Sequence, residues 1–138
     1  LRELISEAQA LEGKNIKHDI AVPISSIARF VDETDRALQR RFPGVRMVVF
    51  GHLGDGNLHF VVVGKAGPEA REVVEEAVYR PLAARQGSVS AEHGIGIEKR
   101  AWLPLSRSAD EIALMRRLKQ ALDPRGILNP GRVIGAGS

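Results

Sequence analysis

Apolar positions along the chain recur with two rhythms, about 3.6 residues and 2 residues, and the switches between them mark its elements. Leu1, Ile5, Ala8 and Leu11 follow helical spacing up to Gly13, which suits a helix C-cap. His18 to Val22 alternate as a short strand that Pro23 stops. Behind Ser25 or Ser26 as N-cap, Ile27, Phe30, Val31, Ala37, Leu38 and Phe42 form a helical stripe closed by Pro43-Gly44. Met47–Phe50 and Leu58–Val63 read as two strands joined by a hairpin. Pro68 opens a second helix through Arg85, with Val74, Ala77, Val78 and Leu82 inward and a kink expected at Pro81. After Gly87, Ser88–Ala91 read as a short fourth strand. Ser108 and Glu111 frame a capping box for a last helix that stops at Asp123-Pro124, and the tail from Asn129 reads as irregular.

Between its terminal helices this order is β-α-β-β-α-β. The expected fold is therefore α+β, a ferredoxin-like antiparallel sheet with extra N- and C-terminal helices. All 138 residues are read as one domain, enough chain to bury a core. Composition narrows the function. With no cysteine, disulfides, thiolate metal sites and cysteine nucleophiles are excluded. A net charge of +3 and 4% aromatic residues offer little for bases to stack on, so nucleic acid is not an expected partner. The mild positive bias suits an anionic small molecule. No apolar run reaches the length of a membrane span and no signal peptide is visible. Opening at Leu1 directly in helical pattern, the chain reads as a fragment of a longer protein.

The hairpin carries the first candidate chemistry. In Gly51-His52-Leu53-Gly54-Asp55-Gly56-Asn57-Leu58-His59, Asp55-Gly56 suits a two-residue type I′ turn. That turn sets Gly54 opposite Asn57, Leu53 opposite Leu58 and His52 opposite His59, with Asn57 on the same face by parity. Two imidazoles and a carboxamide then converge as a metal-site geometry. An incidental histidine pair on a wet sheet face is the competing reading, although two of the chain's four histidines sit at this one pairing. Glu92-His93, at the end of the fourth strand, forms a second cluster. Glu92 completes a His, His, Glu set suited to zinc or a similar divalent metal, and leaves His93 as a proton acceptor. Taken alone, Glu92-His93 reads rather as a pair at a helix N-terminus, stabilised by the helix dipole. In the third group, Arg2 and Ser6 share a helix face and Lys17 precedes the first strand, two cations and a hydroxyl that can clamp a carboxylate. The bland reading there is a solvated helix face.

Residues 51–59, the string Ala91-Glu92-His93-Gly94-Ile95-Gly96-Ile97-Glu98-Lys99-Arg100 and the string Leu122 to Arg132 resemble the C-terminal domain of FAD-linked oxidases. That family includes flavin-type D-lactate dehydrogenases, glycolate oxidase flavin subunits and D-2-hydroxyglutarate dehydrogenases. Lys17-His18-Asp19-Ile20-Ala21-Val22-Pro23 resembles a further family segment, with Ala21 where serine is common. The resemblance implies that His52, His59 and Glu92 hold a divalent metal, zinc in the nearest chemistry, that Asn57 contacts substrate and that His93 is the base. It implies that Arg2, Ser6 and Lys17 bind substrate, with Ser6 replacing a threonine, and that Asn129 belongs to a segment running back toward the flavin. The implied reaction is oxidation of a D-2-hydroxy acid to a 2-oxo acid with hydride passing to FAD.

FAD would be bound mainly by a preceding domain of the same full-length chain, because neither Gly54-Asp55-Gly56 nor Gly94-Ile95-Gly96 extends to a dinucleotide fingerprint. The isolated chain is accordingly expected to be inactive. The implied electron acceptor is a quinone, a cytochrome or a flavoprotein. The implied setting is the cytoplasm or the periphery of the inner membrane, and a homodimer is an open assembly. Two rivals remain: a self-contained metal-dependent hydrolase built on the same residues, and a non-catalytic ferredoxin-like module in which the histidines are incidental.

Overall fold

A computed structural model describes residues 15–63 and 68–135. The helix expected over residues 1–12, with Arg2 and Ser6, lies outside the described residues. Strand β1 (Asn15–Ala21) is followed by helix α1 (Ile27–Arg41), strands β2 (Arg46–His52) and β3 (Asn57–Val63), helix α2 (Pro68–Ala83) and helix α3 (Ala109–Leu122). The three strands form an antiparallel sheet in the order β1-β3-β2. The α+β arrangement is as expected.

Several local expectations need correction. The fourth strand shrinks to one bridge, in which Ala21 and Ser88 exchange backbone hydrogen bonds of 3.0 and 2.8 Å at the free edge of β1. Its position is that of the fourth strand in the split βαβ arrangement, but the ladder cannot continue. Val89 N–H donates instead to the Ser106 hydroxyl at 2.9 Å, and the Ser88 hydroxyl donates to Ser90 O at 2.7 Å. Serine side chains thus satisfy backbone groups that a strand would have used.

The hairpin is the second correction. Leu53–Asp55 form a 3-10 turn, and only Gly56 in that loop is left-handed, at φ 76°. Asp55 Oδ1 accepts the Asn57 N–H at 3.1 Å, so the aspartate side chain closes the turn. The register pairs His52 with Asn57, Gly51 with Leu58 and Phe50 with His59. His52 is not opposite His59, and Leu53, exposed, has no strand partner. Because this register differs from the expected one by two residues, His52, Asn57 and His59 still share a face. The third concerns the start of α1: neither serine caps it through its side chain, and Ile24–Ser26 instead form a 3-10 turn leading into Ile27. Helix α2 ends at Ala83, earlier than expected, with Pro81 in its last turn.

One sheet face carries the core. Ile20, Leu58, Phe60 and Val62 pack with Phe30 and Leu38 of α1 and Val74, Val78 and Leu82 of α2. The Phe30 and Phe60 rings meet edge to face at 5.9 Å. By strand parity Lys17, Asp19, His52, Asn57 and His59 occupy the opposite face. Helix α3 carries the expected capping box: Glu111 N–H donates to Ser108 Oγ at 3.2 Å and Ser108 N–H to Glu111 Oε2 at 2.7 Å. No described helix is long and apolar enough to cross a membrane.

His18 belongs to the core side. It is 2% exposed, its Nδ1 bonds the Phe60 carbonyl at 3.2 Å, and its ring meets Tyr79 edge to face at 5.1 Å. Burial lowers its pKa from 6.5 to about 4, against the pull of the Phe60 carbonyl. The folded state therefore refuses a proton that the unfolded chain accepts. The neutral ring contributes its full stability above pH 6.5, and that contribution is lost as pH falls from 6.5 toward 4, in total about 3 kcal/mol. Urea denaturation at pH 7 and pH 5 reads the loss. His18→Phe should flatten the pH dependence in that window, and an unchanged slope would refute the assignment.

Candidate functional site

On the face away from α1 and α2, the strand ends bring chemistry together. His52 is the last residue of β2, Asn57 the first of β3, and His59 lies two residues further along the same strand. Glu92 and His93 arrive from the loop beyond the Ala21–Ser88 bridge. Ligand atoms of His52, His59 and Glu92 lie within 4.8 Å of one another. His52 Nε2 stands 3.4 Å from Glu92 Oε1. Tetrahedral zinc with bonds of about 2.05 Å separates its ligand atoms by about 3.4 Å, so this pair already has a metal-site spacing. Two imidazole nitrogens and one carboxylate oxygen also match zinc in donor type, with a coordination position left for a further oxygen.

Asn57, only 4% exposed, donates from Nδ2 to Glu92 Oε1 at 2.5 Å. Its amide holds the carboxylate in place, while its buried Oδ1 has no partner among the described residues. The His93 ring stacks on His59, centroids 5.6 Å apart at 25°. Exposed His93 and half-exposed Glu92 leave the site open to solvent on one side.

Lys17 shares this face. It is exposed, sits opposite Val61 and lies one inward-outward repeat along β1 from Asp19, which faces His59. Arg2 and Ser6, which the sequence grouped with it, lie outside the described residues. Asn129 has a left-handed backbone at φ 46°, and its carbonyl accepts the Arg132 N–H at 3.2 Å. The stretch after it is tied to residues 96 and 100: Val133 N–H donates to Gly96 O at 2.7 Å and Arg100 Nη1 to Gly131 O at 2.6 Å. None of these bonds reaches the His, His, Glu set.

Sequence reasoning passed over Asp19 and Lys99. The Asp19 side chain is 1% exposed and accepts hydrogen bonds from the loop that carries Glu92 and His93. Burial works to raise its pKa, but the N–H groups of His93 and Glu92, the Lys99 ammonium and the Ser90 hydroxyl outweigh it and hold the carboxyl below its ordinary range. Lys99 Nζ stands 3.6 Å from Asp19 Oδ2 and donates to Asp19 O at 3.0 Å. The available signal was parity: a carboxylate two positions from Lys17 in a strand lands on the face of the histidines, where a lone charge needs partners.

The family described as "FAD linked oxidases, C-terminal domain" matches residues 1–133. The chain belongs to that family. Among its relatives, the D-2-hydroxyglutarate dehydrogenase of Xanthomonas citri pv. viticola is 42% identical over 96% of this chain and 29% of its own length. The enzyme of the same name from Stutzerimonas stutzeri is 37% identical over 99% of this chain and 30% of its own length. The mitochondrial D-2-hydroxyglutarate dehydrogenase of Bos taurus is 41% identical over 97% of this chain and 24% of its own length. This FAD-linked oxidase C-terminal domain thus spans less than a third of the curated relatives it matches.

Proposed function

We propose that this domain is the substrate- and metal-binding part of an FAD-dependent dehydrogenase that oxidises a D-2-hydroxy acid to a 2-oxo acid. The observation that carries the reading is the convergence of His52, His59 and Glu92 on one point with His93 stacked against it. The relatives' names favour D-2-hydroxyglutarate over lactate or glycolate. A dicarboxylate also suits a site whose sheet face carries Lys17, because the second carboxylate needs its own partner.

In this reading His52, His59 and Glu92 hold a divalent ion, zinc by donor type, and Asn57 fixes the Glu92 carboxylate. A metal held there would supply Lewis acidity toward a substrate hydroxyl, and flavin would supply the hydride acceptor. His93 takes the hydroxyl proton, and its stacking on His59 keeps the ring beside the ligand set. Lys17, and with it Arg2 and Ser6, orients the substrate carboxylates so that the Cα hydrogen faces the flavin. Asn57 Oδ1, buried and without a partner among the described residues, is the acceptor it offers toward a substrate hydroxyl. The FAD-binding part belongs to the same polypeptide, as the greater length of the relatives suggests, and Asn129 lies on the segment approaching it. The electron acceptor in this reading would be a quinone, a cytochrome or a flavoprotein.

The test uses the flavin-containing protein. Anaerobic addition of D-2-hydroxyglutarate should bleach the flavin absorbance, the L-isomer should not, and stripping the metal with chelator should abolish bleaching until zinc is restored. Bleaching that survives metal removal overturns the metal assignment. Ester or amide hydrolysis without flavin would favour the hydrolase instead.

A further inference from the structure

Residues 90–93 belong to no helix or strand, yet they carry both Glu92 and His93. Their backbone donors converge on a single buried oxygen. Asp19 Oδ2 accepts the N–H of Ala91 at 3.1 Å, of Glu92 at 2.9 Å and of His93 at 2.8 Å, and the Ser90 hydroxyl at 3.1 Å. Successive N–H groups wrapped on one anion form a nest, a backbone shape that the anion itself stabilises. Asp19 sits on the central part of β1, directly opposite His59 on β3. One side chain therefore ties the loop half of the site to its sheet half.

We infer that Asp19 is a positioning residue whose carboxylate sets Glu92 and His93 against His52 and His59. Its other oxygen, Oδ1, is buried without a partner among the described residues, and a carboxylate oxygen of Asp19 lies within 4.8 Å of ring nitrogens of His59 and His93. The carboxylate thus also sets a negative charge beside both imidazoles. The same trio has the spacing of a metal site in its own right. Against that use stand the hydrogen bonds that already occupy Oδ2 and the Lys99 ammonium 3.6 Å away, whose positive charge opposes a second cation.

The inference rests on Glu92 and His93 having the roles proposed above, so its test includes a reading that does not depend on them. In the flavin-containing protein, Asp19→Asn keeps the volume but removes the charge. Amide hydrogen exchange at Ala91, Glu92 and His93 should quicken at least about 10-fold while the β3 amides keep their rates. Zinc affinity, measured by chelator competition, should fall about 10–100-fold. Turnover should fall in kcat with KM for the acid held within about 3-fold, a split that general unfolding would not give. Wild-type exchange together with wild-type zinc affinity overturns the inference, and so does a zinc ion that needs Asp19 and His93 but not Glu92. If the wild-type protein takes no zinc, the functional reading fails and the exchange rates alone decide the role of Asp19. Should Asp19→Asn not fold, Ser90→Ala removes one donor and leaves the charge. It should quicken the same amides a few-fold and lower kcat, and no change in either overturns the inference.

Discussion

Substitution of His93 by alanine should lower kcat for 2-hydroxy acid oxidation by about 10²- to 10⁴-fold, the range that loss of a positioned general base removes. Zinc should remain bound, because His93 lies outside the His52, His59 and Glu92 set. The fold should also remain, for a specific reason. His93 reaches Asp19 through its backbone N–H, at 2.8 Å, and alanine keeps that bond. The imidazole itself is exposed and stacks on His59, so truncating it removes little buried surface. His59→Ala makes the contrast: it deletes a ligand, and activity and metal should disappear together. Stopped-flow flavin reduction with parallel metal analysis separates the two variants. Turnover of His93→Ala near the wild-type rate would eliminate His93 as the base, and loss of zinc in that variant would make it a ligand.

How much of this site could be read from the chain alone depends on whether the interactions were local. The capping box of Ser108 and Glu111 spans three residues, and it formed as read. Strand parity is equally local, which is why His52, Asn57 and His59 share a face although the turn between them was misjudged. The hairpin went wrong at Asp55, whose side chain has two options. It can occupy a left-handed turn position or bond the backbone two residues on, and here it takes the second. The fourth strand failed for a less local reason. Ser106, seventeen residues from Val89, supplies the acceptor that takes the Val89 N–H out of the ladder. Parity could place Asp19 on the histidine face, but its partners were illegible for the same reason, since they lie more than seventy residues away.

Gly56 links these lessons to stability. The loop contains two glycines that look alike in sequence, Gly54 and Gly56, and the structure separates them. A Cβ on Gly54 would meet nothing within 4 Å. A Cβ on Gly56 would sit 2.1 Å from the Val22 carbonyl oxygen, on a backbone already at φ 76°. That contact is to backbone at the end of β1, where Val22 N–H donates to Gly56 O at 3.0 Å, so no side chain can swing aside to relieve it. Left-handed backbone costs an alanine about 1–2 kcal/mol and overpacking adds about 1–3, so Gly56→Ala should destabilise the fold by about 2–5 kcal/mol. Gly54→Ala should stay within about 0.5 kcal/mol of wild type. Urea midpoints of the two variants at pH 7 make the comparison, and equal midpoints would mean that the loop does not press on β1 as described. The expected loss reaches the site as well. Relieving the clash moves the hairpin away from β1, and Asn57, next to Gly56, moves with it from the Glu92 carboxylate it holds at 2.5 Å. Folded Gly56→Ala protein should therefore bind zinc more weakly than Gly54→Ala at the same pH, although neither residue carries a ligand atom.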